Sequence, residues 1–248
     1  MDAVIPARSG SKSIPHKNIR PFHHKPLLFH SIDFILPFPW IRHIYFTTDS
    51  PEYIQLVQSH YATWIEQKKI ICILRPPELA QDLTTDLEVF QHVIQFLLQQ
   101  SIPLPHSFLH LRPTFPIRKK EDFECLYHLW TLVQGSYDSL RSVIPCDLLP
   151  QKMYWIGDCL DPIPHKVLQP YFPQWYTISE PYNEPRQKFP TAFVHNGCYD
   201  VIKVDTLMHK QSMTGSKIFP FEMKPDQNYD IDTPQDWYHS EQEAMKIS

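Results

Sequence analysis

Glycine is scarce. The 248-residue chain has five, at positions 10, 135, 157, 197 and 215, so a G-x-G-x-x-G dinucleotide fingerprint cannot be written anywhere in it. The stretch SGSKS at 9–13 resembles the end of a Walker A loop, but that motif needs Gly directly before the Lys, and Ser11 stands there. The usual NAD and P-loop NTPase readings therefore fail. Cysteine is equally uninformative as a framework: Cys72, Cys125, Cys146, Cys159 and Cys198 are odd in number, widely spaced and without a C-x-x-C. Neither a disulfide scaffold nor a zinc knuckle is indicated, and scattered reduced thiols in a packed protein are expected. The 14 histidines contain no H-E-x-x-H, and the pair His23-His24 falls in a loop-like segment, so no histidine-ligated metal is expected. No apolar run approaches the roughly 18 to 20 residues that span a bilayer. The N-terminus shows no basic segment followed by an apolar one and a cleavage site, so a cytoplasmic location is expected.

What is present is a local excess of positive charge. The formal net charge is −4, yet the first 25 residues set Arg8, Lys12, Lys17, Arg20 and Lys25 against the single acidic side chain of Asp2. Short apolar runs alternate with helix-length amphipathic stretches, the pattern of an α/β protein with a mostly parallel sheet. Strands are predicted at Ala3–Pro6, Ile44–Thr48, Ile70–Leu74, Phe108–Leu111 and Ser142–Pro145. Helices are predicted at Pro26–Leu36, Pro51–His60, Thr85–Gln100 and Lys120–Gln134, with Leu87, Phe90, Val93, Ile94, Leu97 and Leu98 forming one apolar face. From Asp147 to about Pro190 the chain turns to proline, aromatics and irregular spacing. Exposing Tyr171, Phe172, Trp175 and Tyr176 together would leave a large apolar patch, so this segment packs either on its own domain or on a partner subunit. Beyond it, NGCYDVIKV and KIFPFEM read as strands, and TPQDWYHSEQEAMK as a closing helix with Thr233 as N-cap and Pro234 at its first position.

In an open parallel sheet ligands bind beyond the carboxyl ends of the strands. After the first strand, Arg8, Ser11, Lys12 and Lys17 offer charge-assisted donors in a loop leading to a helix, a setting for a polyphosphate; a solvated basic loop is the bland alternative. Thr48, Asp49 and Ser50 after the second strand either cap the next helix or touch a ligand. LRPPELA and LRPTFPIR each put an arginine, Arg75 or Arg112, directly after an apolar run, where a buried cation needs an anion or a polar ligand. In NYDIDTPQDW, Asp230 and Asp232 are two apart, so an extended segment points both carboxylates the same way. Such a pair suits Mg²⁺, which takes one or two protein carboxylates plus substrate phosphate. Cationic loop and acidic pair together point to a nucleoside triphosphate with its metal.

IPARSGSKSIPHKN, LRPPELA, LRPTFPIR, PRQKFPTAFVHNG and YDIDTPQDW occur in the order and approximate spacing of the acylneuraminate cytidylyltransferases. These are the CMP-sialic acid synthetases and their relatives acting on other nonulosonic acids, and the resemblance runs over nearly the whole chain. It implies a Rossmann-like three-layer nucleotidyltransferase, a single domain over 1–248 with an inserted arm at 147–190 that reaches across a homodimer. It implies that Arg8, Ser11, Lys12, Lys17 and Asn18 hold the phosphates and ribose of CTP, with Arg8 and Lys12 catalytic, and that Arg75 approaches the cytosine. It assigns Asp230 and Asp232 to Mg²⁺, with Asp232 also catalytic, and Lys152 and Arg186 to the 2-keto sugar acid; Asn196 and Arg112 are expected beside that acid too, Arg112 by supplying the cation missing near position 194. Nucleic acid and membrane are not expected partners. Two positions depart from the sialic acid enzymes: Arg112 stands where they commonly have Gln, and Val194 where they often have Arg. Both lie on the sugar side, which leaves legionaminic, pseudaminic or 3-deoxy-octulosonic acids open as acceptors, and another base or sugar on the same fold as the alternative.

Overall fold

The computed structural model describes residues 1–159 and 165–247, and the part of the expected arm at 160–164 lies outside them. The chain forms two compact units. The first comprises Met1–Ser142, Asn196–Phe221 and Asn228–Ser248, and the second Val143–His195 with Glu222–Gln227. The expected 147–190 arm falls inside the second unit, which is wider than that span.

A seven-stranded sheet is made of β1 (Asp2–Pro6), β2 (Ile44–Thr48), β3 (Ile70–Leu74), β4 (Ser107–His110), β5 (Ser139–Cys146), β6 (Ala192–Lys203) and β7 (Ile218–Glu222). Its order is β7-β5-β6-β4-β1-β2-β3. The ladders β1–β2, β1–β4 and β2–β3 are parallel, and β6 runs antiparallel to β4. Every residue of β2 is buried, consistent with a parallel strand covered on both faces. On one face Val4, Tyr45, Phe108 and Ile202 pack against Phe90, Val93, Ile94 and Leu97 of α4 (Asp86–Gln99) and Val204 and Leu207 of a short helix, Val204–His209. On the other face Tyr199 of β6 stacks on Phe123 of α5 (Lys120–Val133), and Phe34 of α1 (Leu27–Ile35) meets both rings. The first unit is therefore a three-layer α/β structure.

The strands and helices read from periodicity are present, within a few residues at their ends. Thr85 and Glu88 form a reciprocal capping box that starts α4. Ser50 caps the helix Pro51–His60 by accepting from the Tyr53 amide at 3.3 Å. At the closing helix, Pro234–Ile247, the Thr233 hydroxyl accepts from the Asp236 amide at 3.2 Å while Asp236 accepts from the Thr233 amide at 2.7 Å. One core assignment differs: Leu98 is exposed, and Val89 takes a place in the apolar face. Leu98 lies one residue past Leu97, a turn of about 100° off the buried stripe. The helices Ala62–Glu66 and Val204–His209 and the small ladder pairing Pro21–Phe22 with Lys25–Pro26 were not foreseen.

Among its described residues the second unit contains an antiparallel hairpin, Tyr154–Cys159 with His165–Pro170, a two-residue ladder and three 3-10 turns. The irregular spacing of its prolines and aromatics concealed that regular pairing. Tyr171 and Tyr176 are exposed, whereas Phe172 and Trp175 are half-buried and meet edge to face at 5.6 Å. No helix among the described residues is long and apolar enough to cross a membrane.

Asp138 fixes the loop before β7. Its carboxylate takes the Lys210 ammonium at 2.6 Å and the amides of Ser216 and Lys217 at 3.0 and 3.1 Å. Gly215 has φ +67°, and a Cβ there would sit 2.5 Å from the Asp138 side chain, so no other residue fits. The Lys210 hydrogen bond, helped by the two amides, holds the Asp138 carboxyl down to about 2. A folded-state pKa below the unfolded value contributes stability above about pH 4 that is lost as the pH falls toward the folded value. Asp138→Asn is expected to lower the melting temperature at pH 7, with the gap to wild type closing between about pH 5 and pH 2. Thermal melts across that range check it, and a gap constant with pH would contradict it.

Candidate active site

A pocket of about 480 Å³ opens beyond the carboxyl ends of β1, β3 and β4. Eight of the residues singled out in the sequence line it: Arg8, Ser11, Lys12, Lys17, Asn18, Arg75, Arg112 and Asp232. Lys152 and Arg186 belong to the second unit, where they line a pocket of about 350 Å³ with Asp147 and Met153. Arg186 pairs there with Asp147 at 3.1 Å. Asn196 is buried in β6; its side-chain Oδ1 accepts from Ser142 Oγ at 2.6 Å and the Cys198 amide at 3.3 Å, the bonds of a strand brace.

The opening loop is held from several sides. Asn18 donates to the Arg8 carbonyl at 2.9 Å, and the Ser9 amide and hydroxyl both donate to Asp49. Thr48 Oγ1 accepts from the Ser50 amide at 3.2 Å, so the residues after β2 brace the loop and cap a helix. Lys17 is 8% exposed, and its ammonium donates to the Ile231 carbonyl at 2.7 Å and to Asp232 Oδ1 at 3.3 Å. It joins the loop to the acidic segment. Arg8 and Lys12 remain at the pocket's edge, where both pair with Asp82.

The two arginines after apolar runs have different surroundings. Arg112 donates to Asp200 at 2.7 Å and Asp86 at 3.0 Å, and Asp200 also accepts from Arg141 at 2.7 Å. Its charge is balanced within the protein. Arg75 is 4% exposed, and its Nε and Nη1 have no hydrogen-bond partner among the described residues. Burial pushes its pKa down, against the attraction of Asp49. A desolvated guanidinium with unmet donors in a pocket wall calls for acceptors from a ligand.

The acidic segment reaches this pocket through backbone bonds. The Ile231 amide donates to the Thr114 carbonyl at 2.8 Å. Asp230 Oδ1 is buried without a hydrogen-bond partner among the described residues. Burial raises the Asp230 pKa, and the like charge of Asp232 adds to the rise. Gly197, with φ +75°, brings its backbone beside the Asp230 carboxylate and the Arg112 side chain. A buried, unmatched carboxylate oxygen beside a second carboxylate fits a hard divalent cation. Among the described residues no group of three or more His, Cys, Asp or Glu could hold a metal alone, so substrate or water oxygens would complete the shell.

Arg118, in the run IRKK, was not singled out in the sequence. It is partly buried and donates to the Cys198 carbonyl at 3.3 Å, Ser31 Oγ at 2.9 Å and the Arg112 carbonyl at 2.9 Å. It also lies over the rings of Phe34, Phe115 and Tyr199. Desolvation pulls its pKa down, and no sequence pattern marks such a residue. It sets the backbone of the loop that carries Arg112 and Thr114. Arg118→Met is expected to cost about 1–3 kcal/mol by removing its hydrogen bonds to the Cys198 and Arg112 carbonyls and Ser31 Oγ. Urea unfolding measures it, and an unchanged midpoint would show that the loop is held without this side chain.

Residues 3–137, more than half of the chain, match the cytidylyltransferase family. The chain is 34% identical over 116 residues to an N-acylneuraminate cytidylyltransferase of Escherichia coli, a match covering 47% of this chain and 25% of that protein. It is 23% identical over 238 residues to the enzyme of that name from Streptococcus agalactiae, covering 95% of this chain and 51% of the other. The matched regions thus span a quarter to a half of those relatives' lengths. A CMP-N,N'-diacetyllegionaminic acid synthase of Legionella pneumophila is 28% identical over 244 residues, covering 95% of this chain and 92% of that one. Among solved structures, a CMP:2-keto-3-deoxy-manno-octonic acid synthetase complexed with CTP superposes with a TM-score of 0.66 at 16% identity, over 100% of this chain and 99% of the other, a likeness of fold. With the three-layer sheet, the pocket beyond its strand ends and the family match over residues 3–137, the chain belongs to the cytidylyltransferase family.

Proposed function

We propose that the chain transfers CMP from CTP to the anomeric hydroxyl of a nonulosonic acid, releasing pyrophosphate. The observation that carries this reading is the buried Arg75 guanidinium, with donors unmet, in the wall of a pocket whose edge bears Arg8 and Lys12. A cytosine ring offers carbonyl and ring-nitrogen acceptors to such a donor, while two accessible cations suit a phosphate chain.

In this reading Arg8 and Lys12 neutralise the outer phosphates and the departing pyrophosphate, and the Ser11 hydroxyl donates to a phosphate oxygen. Lys17 and Asn18 keep the loop in shape around them. Asp230 and Asp232 hold Mg²⁺, which supplies charge neutralisation at the α-phosphate. Asp232, with its side chain 75% exposed, takes the proton of the attacking hydroxyl. The α-phosphorus forms a bond to the sugar oxygen as its bond to the pyrophosphate oxygen breaks, so positioning and charge neutralisation supply most of the catalysis.

The acceptor's carboxylate is matched by Lys152 and Arg186 in the second unit's pocket. Two findings favour an acceptor other than N-acetylneuraminate: Arg112 is committed to Asp86 and Asp200, and the Legionella legionaminic acid synthase is covered almost from end to end. The exposed apolar side chains of Trp155, Ile156, Leu168, Tyr171 and Tyr176 on the second unit support a homodimer.

Incubation with CTP, Mg²⁺ and a panel of nonulosonic acids is expected to give a CMP-sugar by mass and stoichiometric pyrophosphate, with GTP, UTP and ATP poor donors. No CMP-sugar from any acid, or turnover with another nucleotide alone, would overturn the reading. Lys12→Ala should raise the KM for CTP about 10-fold or more through loss of a charge-assisted contact. Asp232→Asn, whose amide oxygen still accepts from Lys17, should lower kcat about 100-fold or more with at most a small fall in melting temperature; full activity across a Mg²⁺ titration would remove its metal role.

A further inference from the structure

Asp82 has no part in the scheme above, yet it sits in the pocket between the two most accessible cations. Arg8 Nη1 donates to Asp82 Oδ1 at 3.0 Å, and the Lys12 ammonium pairs with Asp82 Oδ2, so each carboxylate oxygen answers one cation. The hydrogen bond from Lys12, followed by that from Arg8, keeps the Asp82 carboxyl below the usual carboxylate range. The turn that bears Asp82 is built without its side chain. Thr84 Oγ1 donates to the Glu78 carbonyl at 3.1 Å and accepts from the Gln81 amide at 3.0 Å, and Gln81 Nε2 donates to the Pro77 carbonyl at 2.9 Å. The carboxylate is therefore free to leave its partners while the turn stays intact.

All three charged side chains are solvent-accessible, at 36% for Arg8, 79% for Lys12 and 45% for Asp82, so their pairing is reversible. This separates Asp82 from Asp200, whose side chain is 1% exposed and whose arginine partners are fixed. A phosphate group and the Asp82 carboxylate are two anions for one pair of cations.

We infer that Asp82 is an internal competitor for the phosphate-binding cations, which a polyphosphate must displace from Arg8 and Lys12 and which helps to expel pyrophosphate after transfer. The inference rests on the proposed phosphate role of Arg8 and Lys12. Replacing the carboxylate by an amide of the same shape removes the competitor and leaves both cations to the phosphate.

Calorimetric binding of inorganic pyrophosphate to the full chain without Mg²⁺ tests it directly, without relying on turnover. Asp82→Asn and Asp82→Ser are both expected to bind pyrophosphate about 2- to 10-fold more tightly than wild type. Asp82→Glu is expected to stay within about 2-fold of wild type because it keeps the charge. In the enzyme assay Asp82→Asn should lower the KM for CTP and strengthen product inhibition by pyrophosphate. If wild type binds pyrophosphate and Lys12→Ala weakens it, but the Asn and Ser variants bind no more tightly, the competitor role is wrong and the phosphate cradle stands. A Glu variant as tight as the Asn variant would also overturn the role. If neither wild type nor any variant binds pyrophosphate, the phosphate reading and the inference fall together.

Discussion

The site depends on one desolvated ammonium group. Lys17 Nζ reaches across 214 positions of sequence to the Ile231 carbonyl, and also meets the Asp232 carboxylate. A lysine at 8% exposure cannot leave its charge unmatched, so those acceptors are a condition of the loop's conformation. Ile231 in turn is tied through its amide to Thr114, and Arg118 pins the neighbouring Arg112 carbonyl. Opening loop, Arg112 segment and acidic segment are thereby set against one another, and Ile231 lies fully buried beside Ile14, Phe22, Leu27 and Trp237. Apolar packing supplies the support, and the ammonium fixes which backbone groups face the pocket.

The cations of the first unit divide by how their charge is met. Arg112 and Arg141 share the buried Asp200 and are committed. Lys17 and Arg118 serve the backbone, one through an ammonium and the other through a guanidinium lying over aromatic rings. Among the described residues Arg8 and Lys12 pair with one accessible carboxylate, and Arg75 keeps unmet donors in a buried wall. Fixed pairs shape the site, whereas exchangeable or unmet groups are the ones open to a ligand. A reversible ion pair at the surface is weak, and that weakness lets a ligand trade places with it.

The second unit carries a different chemistry. Its antiparallel hairpin presents aromatic and aliphatic side chains to solvent, and its pocket joins Lys152 and Arg186 with apolar Leu148, Leu149 and Met153. Asp147 lines the same pocket and pairs with Arg186 at 3.1 Å.

Local chemistry in the sequence determined the elements whose signals are short-range. The run Ile44–Thr48 is a strand buried on both faces and Ile70–Leu74 is its apolar edge neighbour, with Ile70 and Ile73 buried and Leu74 exposed, while Ser50-Pro51 and Thr85-Glu88 start helices through bonds made within one turn. The opening loop and the arginine positions were legible because chemistry in an open α/β sheet gathers after the strands, and the Asp230–Asp232 pair because alternation in an extended segment sets residues two apart on one side. Which cation meets which anion was not legible. Asp200 is 88 residues from Arg112 and Asp82 is 74 from Arg8, and charge alone gives no partner at such separations. Nor did IRKK announce that Arg118 alone would be drawn among Phe34, Phe115 and Tyr199. Burial belongs to the packed assembly of elements rather than to a residue, and only the tertiary structure sorts identical arginines into braces and those left facing the pocket.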